Sequence, residues 1–504
     1  MIAMIFAAGL SIGWQIGMIT YLVIFTGLGL AMFYFVKGSG QQYIIAGKSL
    51  PFFLVGTTML AQSLDANATM GNAAGTYAAG FWAGFQFPLG LALCLVITGT
   101  WFAKPLNRMN LITLPDFYYR RYNGTVEMLV GLLMSLSFMT LLAGNISGGA
   151  WVLATVFGWE YLTALIIISI IVFFYTVAGG LWSVVATDVA QSYPAVIAFI
   201  VAAIWLLATY GWDYFAAAIP DNFIDMSGLT DPDNGAYLNW GGIMALALGD
   251  IVALDFMERV FSAKSPNTAK YACYYGAFFT VLTGIAASMI GLFAISLLGE
   301  VDDGRLVIAN MATDELPFIL GLMILGGIVG AGLSTADGGL LGVSSVVGRN
   351  FLQRNIMQVW KQDHSADETA AMDKRLLLIT RLSAIPIMGM AIWFAIVKPE
   401  PGILLVLAFD IVFAGCLVPL ALGLFWKKAN TPGALAAVIV GSIVRLILYF
   451  YIPEQYAGLD TMIAPIVSLL VMIPVSLMTQ ESHPPKHHVL DYVPTEEEVL
   501  STQW

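Results

Sequence analysis

Apolar residues fill long runs of this chain, and short polar stretches separate the runs. Most runs reach about 20 residues, the helix length needed to cross roughly 30 Å of hydrocarbon. A backbone inside lipid must satisfy its own hydrogen bonds, so runs of this length are expected to be helices. We predict about thirteen membrane-spanning helices, at 13–36, 51–75, 80–103, 125–156, 160–178, 187–208, 238–258, 271–298, 316–346, 376–397, 402–424, 432–452 and 461–479.

Basic residues are concentrated in alternate loops between these runs. With the N-terminus outside, 18 of the 21 lysine and arginine residues fall on the cytoplasmic side, as the positive-inside rule requires. The other three are Arg305 and Lys398 in outer loops and Arg445 within a span. We therefore predict an outside N-terminus, an inside C-terminus and a multi-pass location in the cell inner (plasma) membrane, with the lipid bilayer as a partner.

Composition supports the membrane assignment, because 59% of the residues are hydrophobic and only 11% are charged. The net charge of -11 argues against a nucleic-acid partner. No metal-ligand spacing and no nucleophile–base pair occurs, so we expect neither an enzyme nor an organic cofactor. We predict one transmembrane domain over 1–480, followed by a cytoplasmic polar tail over 481–504.

The second predicted span contains an acid, three amides and two glycines between Gln62 and Gly75. A charge inside a span costs at least ~2.5 kcal/mol, so such residues are functional candidates. A helix broken at mid-membrane would use them, since its free carbonyls and helix ends can bind a cation or a solute. Close packing of small residues is the alternative, but it explains Asp65 poorly. We predict a broken helix, with Asp65 and Asn67 as candidates for the substrate pocket.

The ninth predicted span carries Ala331, Ser334, Thr335 and Asp337. Adjacent hydroxyls and a carbonyl one turn earlier can give three oxygen ligands to sodium, which is a hard cation. Hydroxyls in membrane helices often only bond to the preceding turn. The hydroxyl pair alone therefore leaves both interpretations open.

Other ionisable residues fall inside or at the ends of spans. Asp188 lies at the start of the sixth predicted span, where an acid can simply stabilise a helix N-terminus. Asp250 lies deep in the seventh span, and we count it among the candidates for the substrate pocket. Asp410 and Arg445 lie inside later spans and could form an ion pair.

Several short motifs follow one another in order along the chain. They are Pro115-Asp116-Phe117 with Arg121-Tyr122, Gly179-Gly180-Leu181 with Thr187-Asp188 and Gln191, Arg259 with Ala263-Lys264-Ser265, and Ala331-Gly332-Leu333-Ser334-Thr335-Ala336-Asp337. In this order and spacing the sequence resembles the sodium:solute symporter family, which includes bacterial sodium/proline, sodium/galactose and sodium/sialic acid transporters. The resemblance covers nearly all of 13–480.

The resemblance implies an all-α polytopic membrane protein with a LeuT-type fold that works by alternating access. Its two inverted five-helix repeats would occupy 51–208 and 238–424. An extra helix at 13–36 would precede them, and two peripheral helices at 432–479 would follow.

The resemblance also implies a sodium site between the first helix of repeat one and the third helix of repeat two. Carried over by position, its ligands are the backbone carbonyls of Ala61, Leu64 and Ala331 and the hydroxyls of Ser334 and Thr335. Sodium is the only metal ion expected, as the coupling ion.

A second cation site is a further expectation from the resemblance. Asp188 matches a family aspartate that helps to form a second sodium site in the sialic acid transporters. Those proteins add two serines from the ninth span, where this chain has Asp337 and Gly338. Asp188 and Asp337 are therefore candidates for a second cation or proton site.

The resemblance also restricts the chemical class of the solute. The positions equivalent to the residues that grip sugar in the galactose transporter hold Asn67, Ala68, Phe87, Gly90, Ala253 and Ala287. Most of these side chains cannot hydrogen-bond a sugar hydroxyl, so a sugar is disfavoured. Asp65 and Asp250 would favour a solute with a cationic group, such as an amino acid or a related small nitrogenous compound.

The predicted function is sodium-coupled import of a small organic solute. One alternative is a proton-coupled transporter of a small carboxylate or amine on the same fold, with Asp65, Asp188 or Asp337 as carriers. A remote alternative is a solute sensor that does not transport. Nothing in the sequence specifies an oligomeric state.

Overall fold

The computed structural model describes residues 9–357 and 366–486, without the side chains of 366–370. Of the predicted tail over 481–504, residues 487–504 lie outside the described part of the chain. Within the described residues, ten helices are long and apolar enough to cross a membrane, and two pairs of bent helices bring the number to twelve. The second predicted span consists of two shorter helices, so a total of thirteen spans remains our prediction.

The helices are numbered here in chain order. They are α1 (Ile12–Val36), α2 (Phe52–Ser63), α3 (Ala66–Ala79), α4 (Phe81–Arg108), α5 (Pro115–Arg121), α6 (Gly124–Phe157), α7 (Tyr161–Gly179), α8 (Leu181–Tyr210), α9 (Ala236–Val252), α10 (Leu254–Ser262), α11 (Pro266–Leu297), α12 (Phe318–Ile356), α13 (Ala371–Val397), α14 (Pro401–Gly415), α15 (Leu417–Phe425), α16 (Thr431–Tyr451) and α17 (Leu459–Met478).

The predicted break in the second span is confirmed. Helix α2 ends at Ser63 and α3 begins at Ala66, with Leu64 and Asp65 between them. The Ala68 amide would bond to the Leu64 carbonyl in a continuous helix, but here it donates to Oδ1 of Asp65 at 2.6 Å. Asp65 is therefore the N-cap of α3, and the Leu64 carbonyl loses its helical donor.

Two further spans are bent, which the apolar pattern does not predict. The axes of α9 and α10 differ by 50° around Ala253, and those of α14 and α15 differ by 47° at Cys416. Ala253 has the extended backbone angles φ -70° and ψ 135°. Pro419 lies three residues after Cys416 and has no amide to donate to the Gly415 carbonyl, whereas no proline lies near Ala253.

The sixth span begins earlier than predicted, and this corrects the position of Asp188. Helix α8 begins at Leu181, which places Asp188 two turns inside the helix. The interpretation of Asp188 as a residue that stabilises the helix N-terminus is therefore wrong. Gly180 makes the turn before α8 with φ +54°, and a Cβ on it would lie 2.4 Å from the Tyr43 carbonyl oxygen.

The Pro115-Asp116 motif forms a buried ion network at the predicted cytoplasmic side. Asp116 on α5 lies 2.9 Å from Arg349 and 2.6 Å from Arg354, both at the end of α12. Glu127 at the start of α6 also binds Arg354. Burial alone would raise the pKa of Asp116, but the surrounding arginines outweigh it and hold the pKa well below its usual range.

Arg121 is buried and caps the end of α15. Its guanidinium donates to the carbonyls of Gly423 at 2.9 Å, Trp426 at 3.3 Å and Lys427 at 3.3 Å. A helix end has carbonyls without intrahelical donors, and a buried arginine can satisfy several of them. The second half of this motif therefore fixes α5 to α15.

The ion pair between Asp410 and Arg445 is present, and it has a third member. Arg445 on α16 bonds to Asp410 on α14 and lies 2.9 Å from Asp460 on α17. The three charged side chains join α14 to the two helices that follow the proposed repeats. Buried charges in a membrane protein are expected to be paired in this way.

We predict that Asp116→Asn destabilises the protein by about 3–5 kcal/mol, because it leaves a buried arginine cluster with one carboxylate fewer. Because the pKa of Asp116 is depressed, its stabilisation holds at neutral pH and is lost only as the pH falls through the folded-state value. The matched control is Asp303→Asn, which removes the half-exposed pair with Arg305 and should cost at most about 1 kcal/mol. The difference is tested by thermal melting of both variants in detergent. Equal losses of stability in the two variants would contradict the prediction.

Candidate functional site

The motif on α12 lies directly beside the break in the second span. A Cβ added to Gly332 would lie 2.9 Å from the Cβ of Ala66 and 3.1 Å from the carbonyl oxygen of Asn145. Only a glycine allows α12 to approach the start of α3 this closely. The structure thus brings the motif on α12 against the start of α3, beside the break in the second span.

The two hydroxyls of the motif do not bond to the preceding turn, which was the alternative interpretation. Ser334 donates its hydroxyl hydrogen to Oδ1 of Asp188. Thr335 is 1% exposed, and its hydroxyl has no hydrogen-bond partner. Both oxygens therefore keep lone pairs that could bind a cation, in a region where an unpaired polar atom is costly.

Two of the carbonyl ligands implied by the resemblance, those of Ala61 and Leu64, lie at the end of α2, whereas that of Ala331 lies within α12. The Ala61 carbonyl accepts the amide of Leu64 at 3.1 Å, in the tighter pattern that closes a helix. The Leu64 carbonyl is free of its helical donor, as described above. Such carbonyls point out of the helix end and suit a hard cation.

Asp188 already has partners within the protein. Its Oδ1 accepts from Ser334, and its Oδ2 lies 3.6 Å from Nη2 of Arg259. Arg259 also lies 3.0 Å from Asp255, four residues earlier on α10. The carboxylate of Asp188 is therefore shared between the candidate sodium site and an arginine, which the sequence did not reveal.

Asp337 differs from Asp188, because neither of its carboxylate oxygens has a hydrogen-bond partner. The residue is fully buried and follows Thr335 by two positions on α12. A buried carboxylate without partners is expected to be protonated or to bind a cation. Of the two candidates for a second cation or proton, Asp337 has more unused binding capacity.

The carboxylate of Asp65 is hydrogen-bonded to groups around the break in the second span. Besides the Ala68 amide, its carboxylate accepts from Asn145 at 2.8 Å and from Asn67 at 3.2 Å. Asn145 on α6 also accepts the Ala66 amide at 3.2 Å. Sequence reasoning missed Asn145, although an amide in the middle of the apolar run 125–156 could have signalled it.

Asp250 lies in the last turn of α9, beside the second break at Ala253. Its carboxylate accepts from the side-chain amide of Gln62, at 3.1 and 3.4 Å, and it is fully buried. Gln62 lies at the end of α2, so one hydrogen bond joins the two broken spans. In the described residues Asp250 forms no ion pair, so its carboxyl group has no counter-charge in that part of the protein.

A cavity of about 1160 Å³ opens on the predicted extracellular side. It reaches Met70, Gly71 and Phe87, but Asp65, Asn67 and Asp250 do not line it. Below it α3 meets α14, because a Cβ on Gly71 would lie 3.0 Å from the Cα of Gly402. The cavity is therefore lined by the contact between α3 and α14 but not by the three candidates for the substrate pocket.

Curated relatives align along most of the chain. The sodium/glucose cotransporter of Vibrio parahaemolyticus is 27% identical over 90% of this chain and 88% of its own length. The sodium/proline symporter 2 of Staphylococcus saprophyticus is 27% identical, with 87% of each chain covered. The high-affinity choline transporter 1 of Drosophila melanogaster is 26% identical over 88% of this chain and 74% of its own length. These relatives are transporters of the plasma membrane and not enzymes.

Solved structures share the fold. A Na+-coupled sialic acid symporter, solved in a substrate-bound outward-open state, has a TM-score of 0.72 and 16% identity and covers 94% of this chain and 98% of its own. Mhp1, a nucleobase-cation-symport-1 family transporter solved in a closed conformation, has a TM-score of 0.55 and 15% identity, with 92% and 98% covered. Residues 43–441 match the model of the Sodium:solute symporter family, and the chain belongs to that family of multi-pass membrane transporters.

Proposed function

We propose that this protein is a sodium-coupled symporter that imports a small nitrogenous solute by alternating access. The main observation in support is the pair of buried hydroxyls of Ser334 and Thr335. They lie on the part of α12 that packs beside the break, where the Leu64 carbonyl lacks its helical donor. Two hydroxyl and three carbonyl oxygens supply a neutral ligand set, which suits a monovalent hard cation better than a divalent one. Family membership and the fold of a Na+-coupled symporter support the same ion.

The proposed mechanism requires that sodium favour one conformation, because a ligand shifts an equilibrium only by its differential affinity. The ligands of the proposed site come from α2 in repeat one and α12 in repeat two. Relative movement of the repeats would separate them, so the ion would bind tightly in one conformation only. Each sodium ion that enters gains about 2.3 kcal/mol per 100 mV of membrane potential.

The positions of the bends support the two inverted repeats over 51–208 and 238–424. The first span of each proposed repeat is broken, at Asp65 and at Ala253. Broken helices that face each other near mid-membrane form the binding sites of many transporters with inverted repeats. The hydrogen bond between Gln62 and Asp250 joins these two breaks.

For the solute, we infer a cationic nitrogen that pairs with Asp250. The carboxylate of Asp65 is already hydrogen-bonded to groups at the break, whereas the carboxylate of Asp250 accepts hydrogen bonds only from neutral donors. A buried carboxylate without a counter-charge is unfavourable until a cation reaches it. An amino acid or a related small amine carries such a group.

The sodium site is tested by the double variant Ser334→Ala with Thr335→Ala. Losing two of five oxygen ligands should raise the sodium concentration for half-maximal uptake at least about tenfold in proteoliposomes. The control is Ser344→Ala, which removes a buried hydroxyl on the same helix that only bonds to the Leu340 carbonyl, at 2.6 Å. Unchanged sodium dependence in the double variant would rule out this site.

The solute assignment is tested with amino acids, quaternary amines and monocarboxylates, measured by thermal stabilisation in sodium and in potassium. We expect cationic compounds to stabilise the protein in sodium, and Asp250→Asn to weaken their binding at least about tenfold, as loss of a charge-assisted contact does. Asp213→Asn, at an exposed position in an outer loop that does not line the cavity, is the control. Stabilisation by monocarboxylates alone, unaffected by Asp250→Asn, would refute the assignment.

Proton coupling is the second candidate, and the partnerless carboxylate of Asp337 favours it. If Asp337 carries a proton, a pH gradient should drive uptake with sodium absent, and Asp337→Asn should abolish that uptake while sparing sodium-driven uptake. If Asp337 instead binds a second sodium ion, the variant should lower the Hill coefficient for sodium from about two to about one. An unchanged response in both assays would exclude Asp337 from coupling.

A further inference from the structure

We propose that Arg259 closes the cytoplasmic side of the sodium site and acts as a positioning residue for the release of the ion. The inference rests on the proposed sodium-coupled function. In it, the ion pair between Arg259 and Asp188 must open before sodium can leave toward the cytoplasm.

A chain of two contacts between three buried residues supports this inference. Arg259 on α10 lies 3.6 Å from Asp188 on α8, and Asp188 accepts the hydroxyl of Ser334 on α12. All three residues are fully buried. Only Asp188 therefore lies between Arg259 and Ser334, a proposed sodium ligand. Through these contacts α10 is joined to α8 and α12.

Arg259 lies below the site, toward the predicted cytoplasmic side. Helix α12 runs from Phe318 on the predicted outer side to Ile356 on the inner side, so Gly338 lies one turn further in than Ser334. A Cβ on Gly338 would lie 3.2 Å from the Cβ of Asp255 and 3.4 Å from Nη1 of Arg259. The guanidinium therefore stands between the hydroxyl pair and the cytoplasm.

The inner halves of the two broken spans are joined, so they can move together. The Leu50 amide donates to the Ser262 carbonyl, and the Lys264 amide donates to the Leu50 carbonyl, both at 3.0 Å. Leu50 precedes α2, while Ser262 ends α10. Helices α2 and α10 could not swing away from α8 and α12 as a unit without separating Arg259 from Asp188.

Charge balance makes Arg259 hard to replace. Three other acids lie on the two helix segments around it, and Glu258 and Asp337 each keep a carboxylate oxygen without a hydrogen-bond partner. Removing the arginine would leave Asp188 buried beside this surplus of negative charge. Breaking a buried pair in this way is strongly destabilising, so the closed arrangement should open.

The test measures access to the site from the cytoplasmic side. In a parent protein with Cys94, Cys273 and Cys416 replaced by alanine, the reporter is Ser345→Cys. Ser345 is fully buried on α12, two turns further in than Gly338. A cationic thiol reagent is added to inside-out vesicles, and the labelling rate is compared between variants.

We expect Arg259→Gln to raise the labelling rate at least about tenfold and to let sodium leak without solute. Arg259→Lys keeps the charge but loses the fork of donors, and it should fall between parent and Arg259→Gln. The matched control is Asp255→Asn, which breaks a pair of the same arginine within one helix. The labelling rate in Asp255→Asn should stay within about twofold of the rate in the parent protein.

Parental labelling and no leak in Arg259→Gln would overturn the proposal, as would equal exposure in Asp255→Asn. If Arg259→Gln does not fold, Asp188→Asn opens the same pair from the other end and must give the same exposure. A parent protein without sodium-driven uptake would instead refute the proposed function. If the parent protein takes up solute normally but Arg259→Gln shows neither faster labelling nor a sodium leak, only the role of Arg259 is refuted.

Discussion

The structure depends on one constraint, which is that a backbone group inside hydrocarbon must find its partner within the protein. A continuous helix meets this constraint alone, and a broken one cannot. At the break of the second span Asp65 accepts the Ala68 amide and Asn145 accepts the Ala66 amide. These two side chains replace the missing helical acceptors, and the Leu64 carbonyl on the other side of the break is left without its helical donor. The polar residues that look expensive in the sequence are therefore what allows a binding site at mid-membrane.

The same constraint explains why small residues surround the break. The side chain of Asn145 reaches across from α6 only because α12 and α6 come close to the start of α3. Gly332 packs on Ala66, and a Cβ on Gly144 would lie 2.2 Å from the side-chain oxygen of Asn67. Within a bilayer, helices associate through close packing and interhelical hydrogen bonds rather than through the hydrophobic effect. Each glycine at these contacts thus brings a polar side chain within reach of the break.

The sequence predicted the elements that depend on composition and not those that depend on neighbours. The break at Asp65 was predictable because an acid inside an apolar run has a large free-energy cost. The bend at Ala253 was not, since Asp250 was interpreted only as a pocket candidate and the contact that Gln62 makes with it comes from a distant span. Asp188 was misinterpreted because the apolar window began six residues after the helix does. The hydroxyl pair on α12 was ambiguous in isolation, and only the family resemblance distinguished it from two back-bonded side chains.

Charge then decides how the two ends of the proposed site differ. Toward the predicted outside, α3 and α14 meet at Gly71 and Gly402, two small neutral residues that can part at little electrostatic cost. Toward the cytoplasm, the proposed closure is Arg259, which pairs with the buried acids Asp188 and Asp255. Separating that pair exposes an uncompensated carboxylate unless another cation is close to it. A sodium ion at Ser334 would be such a cation, since Ser334 bonds directly to Asp188. The energetic difference between the two closures therefore gives the ion, and not the solute alone, a means to influence which side opens.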